Sequence, residues 1–203
     1  QGMRMSKTLT ALAAAGAILV AASAAEAAKV KYNFSGSTFS DEPRKQTRRI
    51  ITSGYSGKRT VSFSRKLKPG TIVIRTSERR LYYVLPGGKA IKYGIGVGRS
   101  GFTWRGRKRI SRKAKWPGWT PPKRMIERER KKGRILPAHM PGGPNNPLGA
   151  RALYLGSSIY RIHGTNQPQT IGRAVSSGCI RMLNDEVVDL YGRARLGALV
   201  IVE

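Results

Sequence analysis

Cys179 is the only cysteine of the chain, set in Ser176-Ser177-Gly178-Cys179-Ile180-Arg181, and His163 precedes it in Ile162-His163-Gly164-Thr165. A thiol with no disulfide partner in its own chain, together with a histidine able to take its proton, is the minimum equipment for nucleophilic acyl transfer. Most free cysteines are small buried hydrophobes, and that reading stands beside the catalytic one. Two neighbours favour chemistry. Gly178 lets backbone approach a ligand closely, and Arg181 adds positive potential that favours thiolate over thiol. The second histidine, His139, is an alternative base by residue type alone. No C-x-x-C or H-x-x-x-H spacing accompanies these residues, so no metal is expected. Gly96-Val97-Gly98-Arg99-Ser100-Gly101 fits G-x-G-x-x-G, but neither a helical pattern nor an acidic residue about 20 positions on follows it. It reads as a glycine-rich strand end, and no cofactor is expected.

The elements that must position these residues are mainly strands. Thr71-Ile72-Val73-Ile74-Arg75 and Leu81-Tyr82-Tyr83-Val84-Leu85 are β-branched and aromatic runs joined by polar residues, and Pro86-Gly87-Gly88 closes the second, which predicts successive hairpins. Residues 90–98 continue as a third strand, 152–155 and 159–163 flank another turn, and 198–202 form a last strand. One helix is expected over 185–195, with Asn184 as N-cap, Asp185 and Glu186 in its first turn, Arg193 and Arg195 in its last, and Gly197 beyond its end. Between the strands lies an insertion, 102–149, with Trp104, Trp116, Trp119 and several Pro-Gly steps but no sustained periodicity. A long insertion of this kind in a compact domain is usually a lid or binding loop. The aromatics in it would either stack on a substrate or pin the loop down.

The chain of 203 residues carries 39 Lys and Arg against 10 Asp and Glu, a formal charge of +29. Such a field attracts polyanions. Residues 1–27, with Arg4 and Lys7 before an alanine-rich apolar run and Ala-x-Ala sites, have the layout of a secretory signal peptide. Export, with periplasmic localisation, removes nucleic acid from the partners and leaves anionic wall polymer or lipid head groups. Residues 28–68 are basic and polar without periodicity, an irregular leader suited to contact an anionic wall or membrane surface. Residues 69–203 form the remaining domain, long enough to hold its own core.

Ile162-His163-Gly164-Thr165-Asn166, followed by Ser176-Ser177-Gly178-Cys179-Ile180-Arg181-Met182 and preceded by Met140-Pro141-Gly142-Gly143-Pro144, closely resembles the L,D-transpeptidases of the YkuD type. Some members have histidine at the Ser177 position and asparagine at that of Arg181, so this chain resembles the arginine-bearing branch. The resemblance implies a mainly β, sandwich-like fold with one short C-terminal helix and a lid-like insertion. It implies attack by Cys179 on a peptidoglycan tetrapeptide stem with release of D-alanine, then transfer of the acyl group to an amine. The amine would belong to a second stem, giving a 3-3 crosslink, or to an envelope protein; water would make the enzyme a carboxypeptidase. His163 would be general base and acid, the Gly164 backbone would orient it, and the Gly178 backbone would meet the oxyanion. Arg181 would bind a stem carboxylate or support the loop. Ser176, Ser177, Asn166, Trp119, Met140, Gly142 and Gly143 are the substrate-binding candidates. The rival classes are a basic wall-binding module with a vestigial site and a secreted cysteine protease or amidase.

Overall fold

The computed structural model describes residues 57–203. The expected signal segment and the leader up to residue 56 lie outside the described residues. In chain order the elements are β1 (Arg59–Ser62), β2 (Ile72–Arg75), β3 (Arg80–Leu85), β4 (Lys89–Gly94), β5 (Val97–Gly98), β6 (Gly106–Lys115) and α1 (Lys123–Arg130). There follow β7 (Arg151–Leu155), β8 (Arg161–His163), a 3-10 turn at Pro168–Thr170, β9 (Ala174–Ser176), β10 (Ile180–Arg181), α2 (Asn184–Arg193) and β11 (Leu199–Val202).

The expected hairpins form. β2, β3 and β4 are antiparallel neighbours, with Ile72 opposite Tyr83 and Tyr83 opposite Ile91. β11 lies parallel to β2, Val200 opposite Ile72. The strand hint in the basic leader is realised as β1, which pairs with β4, while Phe63 packs with Val73, Tyr82, Val84 and Ala90 in a small second core. The folded domain therefore reaches back before residue 69.

β6 joins the two halves of the fold. Its first four residues pair with β11, and from Ile110 onward it pairs with β7, with a register shift between Ile110 and Arg112. A bulge bends a strand and increases its twist, which lets one strand serve two sheets. β7 continues to β8, and β8 to β10. Ile72, Ile74, Leu81, Tyr93, Ile110, Leu153, Leu155, Ile162, Ile180 and Val200 bury their side chains in the core between these sheets, with Val187 and Leu190 of α2.

Three expectations are corrected. The insertion is not devoid of regular structure, because it holds β6 and α1. β6 reads Gly-Arg-Lys-Arg-Ile-Ser-Arg-Lys-Ala-Lys and buries only Ile110; hydrogen bonds to strands on both sides, not an apolar pattern, make it a strand. α1 buries no residue, so it too lacked the apolar stripe that marks a helix in sequence, and the domain has two helices where one was expected. The third strand breaks at Ile95 into β4 and β5, because Gly96 leaves the hairpin to exchange both backbone hydrogen bonds with Arg181. No helix among the described residues is long and apolar enough to cross a membrane.

Candidate active site

Sheet register assembles the site. Ile162 of β8 lies opposite Ile180 of β10, and His163 opposite Arg181. Ile162 and Ile180 point into the core, so by the period-2 alternation of strands Arg161, His163, Cys179 and Arg181 share the other face. Continuing the register by one residue sets Cys179 beside Arg161. On the same face the row carrying His163 runs through Ala152 and Ala114, and the row carrying Arg161 runs through Tyr154 and Arg112. The small, fully buried Ala152 leaves room for the imidazole beside it.

His163 is buried, and its Nδ1 lies 2.6 Å from the Gly164 carbonyl oxygen. A carbonyl only accepts, so Nδ1 carries the proton of the neutral ring and Nε2 keeps the lone pair that a base needs. Burial, then the Arg181 charge, pull the imidazole pKa down to about 3, against the Gly164 and Leu148 carbonyls, which raise it. Cys179 is half-buried, with Sγ 3.7 Å from the Ile159 carbonyl oxygen. Burial pushes its thiol up; Arg161, through its charge, its backbone N–H and its guanidinium, and Arg181 oppose that rise. At rest the thiol and the imidazole on this face are therefore both neutral. The reaction of Cys179 with iodoacetamide at pH 7 is expected to be slower than that of a free cysteine and to climb steeply above pH 9. Fast alkylation at pH 6 would contradict a raised thiol pKa.

The loop that presents the thiol is braced on every side. Gly178 adopts φ +103°, and a Cβ there would meet Tyr160 Cε1 at 2.7 Å and the Phe102 carbonyl oxygen at 3.0 Å. Trp104 stacks on Tyr160 at 4.7 Å between centroids and donates from Nε1 to the Gly178 carbonyl, 3.1 Å. Ser176 Oγ donates to the Cys179 carbonyl at 2.6 Å and accepts from the Gly178 N–H at 3.1 Å. That N–H is thus already engaged, and it becomes an oxyanion donor only when Ser176 Oγ releases it. Two glycines of the G-x-G-x-x-G stretch serve packing: a Cβ on Gly96 would lie 2.8 Å from the Thr170 carbonyl oxygen, and one on Gly98 2.7 Å from the Phe102 carbonyl oxygen and 3.2 Å from Gly178 Cα.

The His163 side is fixed by a residue expected to do something else. Asn184 is the first residue of α2, not its N-cap; Leu183 takes that place without a side-chain bond. Asn184 Oδ1 instead accepts from the N–H of Ala150, 3.0 Å, just before β7, and of Thr165, 3.1 Å, just after β8. Replacing Asn184 with Ala strands two buried N–H groups and is expected to cost about 2–4 kcal/mol, with turnover down about tenfold. Asn184→Asp retains the acceptor and most of both; urea midpoints and turnover rates check this.

The insertion is closed at its base by the Trp116 N–H on the Ala150 carbonyl, 2.8 Å, and further out by paired backbone bonds between Trp119 and Met140, both 2.8 Å. Gly142 passes so close to the Trp116 carbonyl that a Cβ would overlap it. Buried Asn146 ties the arm down, donating to the Met140 and Pro141 carbonyls, and the Gly143 carbonyl accepts from the Asn146 N–H. Asn166, exposed, donates to the Asn145 carbonyl. Met140, Gly142, Gly143, Trp119 and Asn166 thus shape the arm and its contact with the His163 loop. Ser177 reaches α1, with Arg128 Nη2 3.4 Å from its Oγ. His139 is exposed, its Nδ1 2.9 Å from Thr120 Oγ1 in the arm. Sequence reasoning missed Arg161 and Tyr160 and gave Asn184 a different role, while Trp104, named in the insertion, takes the loop-pinning one of its two expected roles.

Residues 69–202 match the L,D-transpeptidase catalytic domain of the YkuD family. The chain belongs to this family. The probable L,D-transpeptidase ErfK/SrfK of Escherichia coli is 39% identical over 134 residues, 64% of this chain and 42% of that protein. The putative L,D-transpeptidase YkuD of Bacillus subtilis is 55% identical over 59 residues, 29% of this chain and 36% of that one. The chain therefore spans less than half the length of these relatives. An L,D-transpeptidase from Mycobacterium smegmatis superposes with TM-score 0.50 at 19% identity over 66% of this chain and 58% of its own, and shares the fold.

Proposed function

We propose that the protein is a peptidoglycan L,D-transpeptidase working through a thioester on Cys179. The observation that carries the reading is the strand register that sets Cys179, His163 and their two arginines on one face, joined to membership of the family. His163 Nε2 takes the thiol proton as Sγ attacks the amide carbonyl that precedes the terminal D-alanine of a tetrapeptide stem. The tetrahedral intermediate collapses, the C–N bond breaks, and the imidazolium returns its proton to the departing amine. The thioester remains. An acceptor amine then attacks, His163 removes its proton, and the thiol is regenerated as the new amide forms. The developing oxyanion is met by the Cys179 N–H, and by that of Gly178 once Ser176 turns away. Arg181, held by Gln167 and Thr170 at 3.4 Å, supports the loop.

We place the enzyme outside the cytoplasmic membrane, exported by residues 1–27, with the basic leader against anionic wall or lipid. The amine of a second stem is the preferred acceptor, with an envelope protein as the alternative. Incubation of residues 28–203 with disaccharide tetrapeptide is expected to release D-alanine and yield 3-3 linked dimers by mass spectrometry. Wall binding without turnover, equal in wild type and Cys179→Ala, would instead identify a binding module.

A further inference from the structure

Two arginines flank the thiol, and neither has an acid to hold. Among the described residues no carboxylate pairs with Arg161 or Arg181, and the Nε of each is buried without a hydrogen-bond partner. Arg161 is half-buried, its guanidinium carbon lies 5.4 Å from the Tyr154 ring centroid, and its charge acts on both Cys179 and His163. A buried N–H donor of a cation that is left unmade is costly, and a fork of this geometry suits a carboxylate taken bidentately. The site therefore lacks an anion on the Arg161 side.

We propose that Arg161 is the specificity-determining residue for the donor, binding the free α-carboxylate of the residue that leaves. This rests on the transpeptidase reading above. The carboxyl carbon of a terminal residue lies three bonds from the scissile carbonyl carbon, within roughly 3.8 Å. A guanidinium set beside the thiol by the strand register is at that reach. A carboxylate at the far end of the penultimate side chain sits several bonds further away and suits Arg181 or the insertion instead. Arg161 thus selects donors whose scissile amide is the last in the peptide, an exo-acting preference.

The experiment compares alkylation of Cys179 by iodoacetate and by iodoacetamide at pH 9 in 0.3 M salt, which screens the general positive field. Both reagents need the same thiolate, so the ratio of rates reports the anion site alone. Wild type is expected to favour iodoacetate at least fivefold more than free cysteine does. Arg161→Gln should bring the ratio to the free-cysteine value, Arg161→Lys should keep part of it, and exposed Lys89→Gln should leave it unchanged. A wild-type ratio no higher than that of free cysteine overturns the proposal whether or not the variants fold. With stem substrate, a C-terminal amide donor is expected to lose at least tenfold in kcat/KM against the acid in wild type and under threefold in Arg161→Gln. Equal use of acid and amide by wild type also overturns it. A protein that uses neither donor but keeps the alkylation ratio would retain the anion site and lose the transpeptidase reading.

Discussion

Replacement of His163 by Asn is expected to lower acylation about a thousandfold or more, with the fold intact at neutral pH. General base catalysis contributes about 10² to 10⁴ in such sites, and with the thiol pushed up by burial the uncatalysed alternative, a standing thiolate, is scarce at pH 7. The pH dependence follows from the same geometry. The base works unprotonated, and its pKa is depressed to about 3, so kcat/KM should change less than about twofold between pH 5 and 7, where a free imidazole would be losing its lone pair. Half-maximal activity at pH 6–7 would contradict the depressed value. Stability carries the opposite trace. The folded ring stays neutral while the unfolded one takes a proton below about 6.5, so stability conferred by the fold is present above that pH and lost as pH falls toward 3. The slope is at most about 1.4 kcal/mol per pH unit. Urea titrations at pH 7 and 5 should show this slope in wild type and its loss in His163→Asn.

The second large effect is at Gly178. Alanine there must hold φ +103° and place its Cβ 2.7 Å from a Tyr160 ring that Trp104 holds in place by stacking. Backbone strain of this kind costs about 1–3 kcal/mol before any clash. Gly178→Ala is expected to lose about 2–4 kcal/mol of stability and nearly all turnover, because the loop that aims Sγ must move. Gly192→Ala is the contrast. That glycine lies in α2 with nothing within 4 Å of its would-be Cβ, and the change should stabilise by about 0.5–1 kcal/mol. Thermal melts and turnover of the two variants separate local packing from a general effect of losing glycine.

The strands with alternating or apolar patterns, β2, β3, β7 and β11, were legible because burial dictates their residues. β6 and α1 were not, since backbone partners or exposed charge hold them in place and their side chains meet little of the core. At the site, Cys179 and His163 were legible by type; Gly178 was singled out for close approach to a ligand, whereas its φ of +103° and its packing against Tyr160 emerge only in the fold. Asn184 looked like a helix cap, as its residue type and place suggest, yet its carbonyl oxygen serves two N–H groups far back in the chain; only tertiary structure reveals such a role. Arg161 stood in plain view among many arginines. Register alone distinguishes it, by placing it next to the sulfur.

The central claim, that Cys179 carries the acyl group, is tested most directly by the intact mass of residues 28–203 during incubation with a disaccharide tetrapeptide. The expected result is a transient adduct equal to the substrate less D-alanine, present in wild type and absent from Cys179→Ala. An unmodified mass with unchanged substrate under reducing conditions, or an adduct that persists in Cys179→Ala, would contradict it.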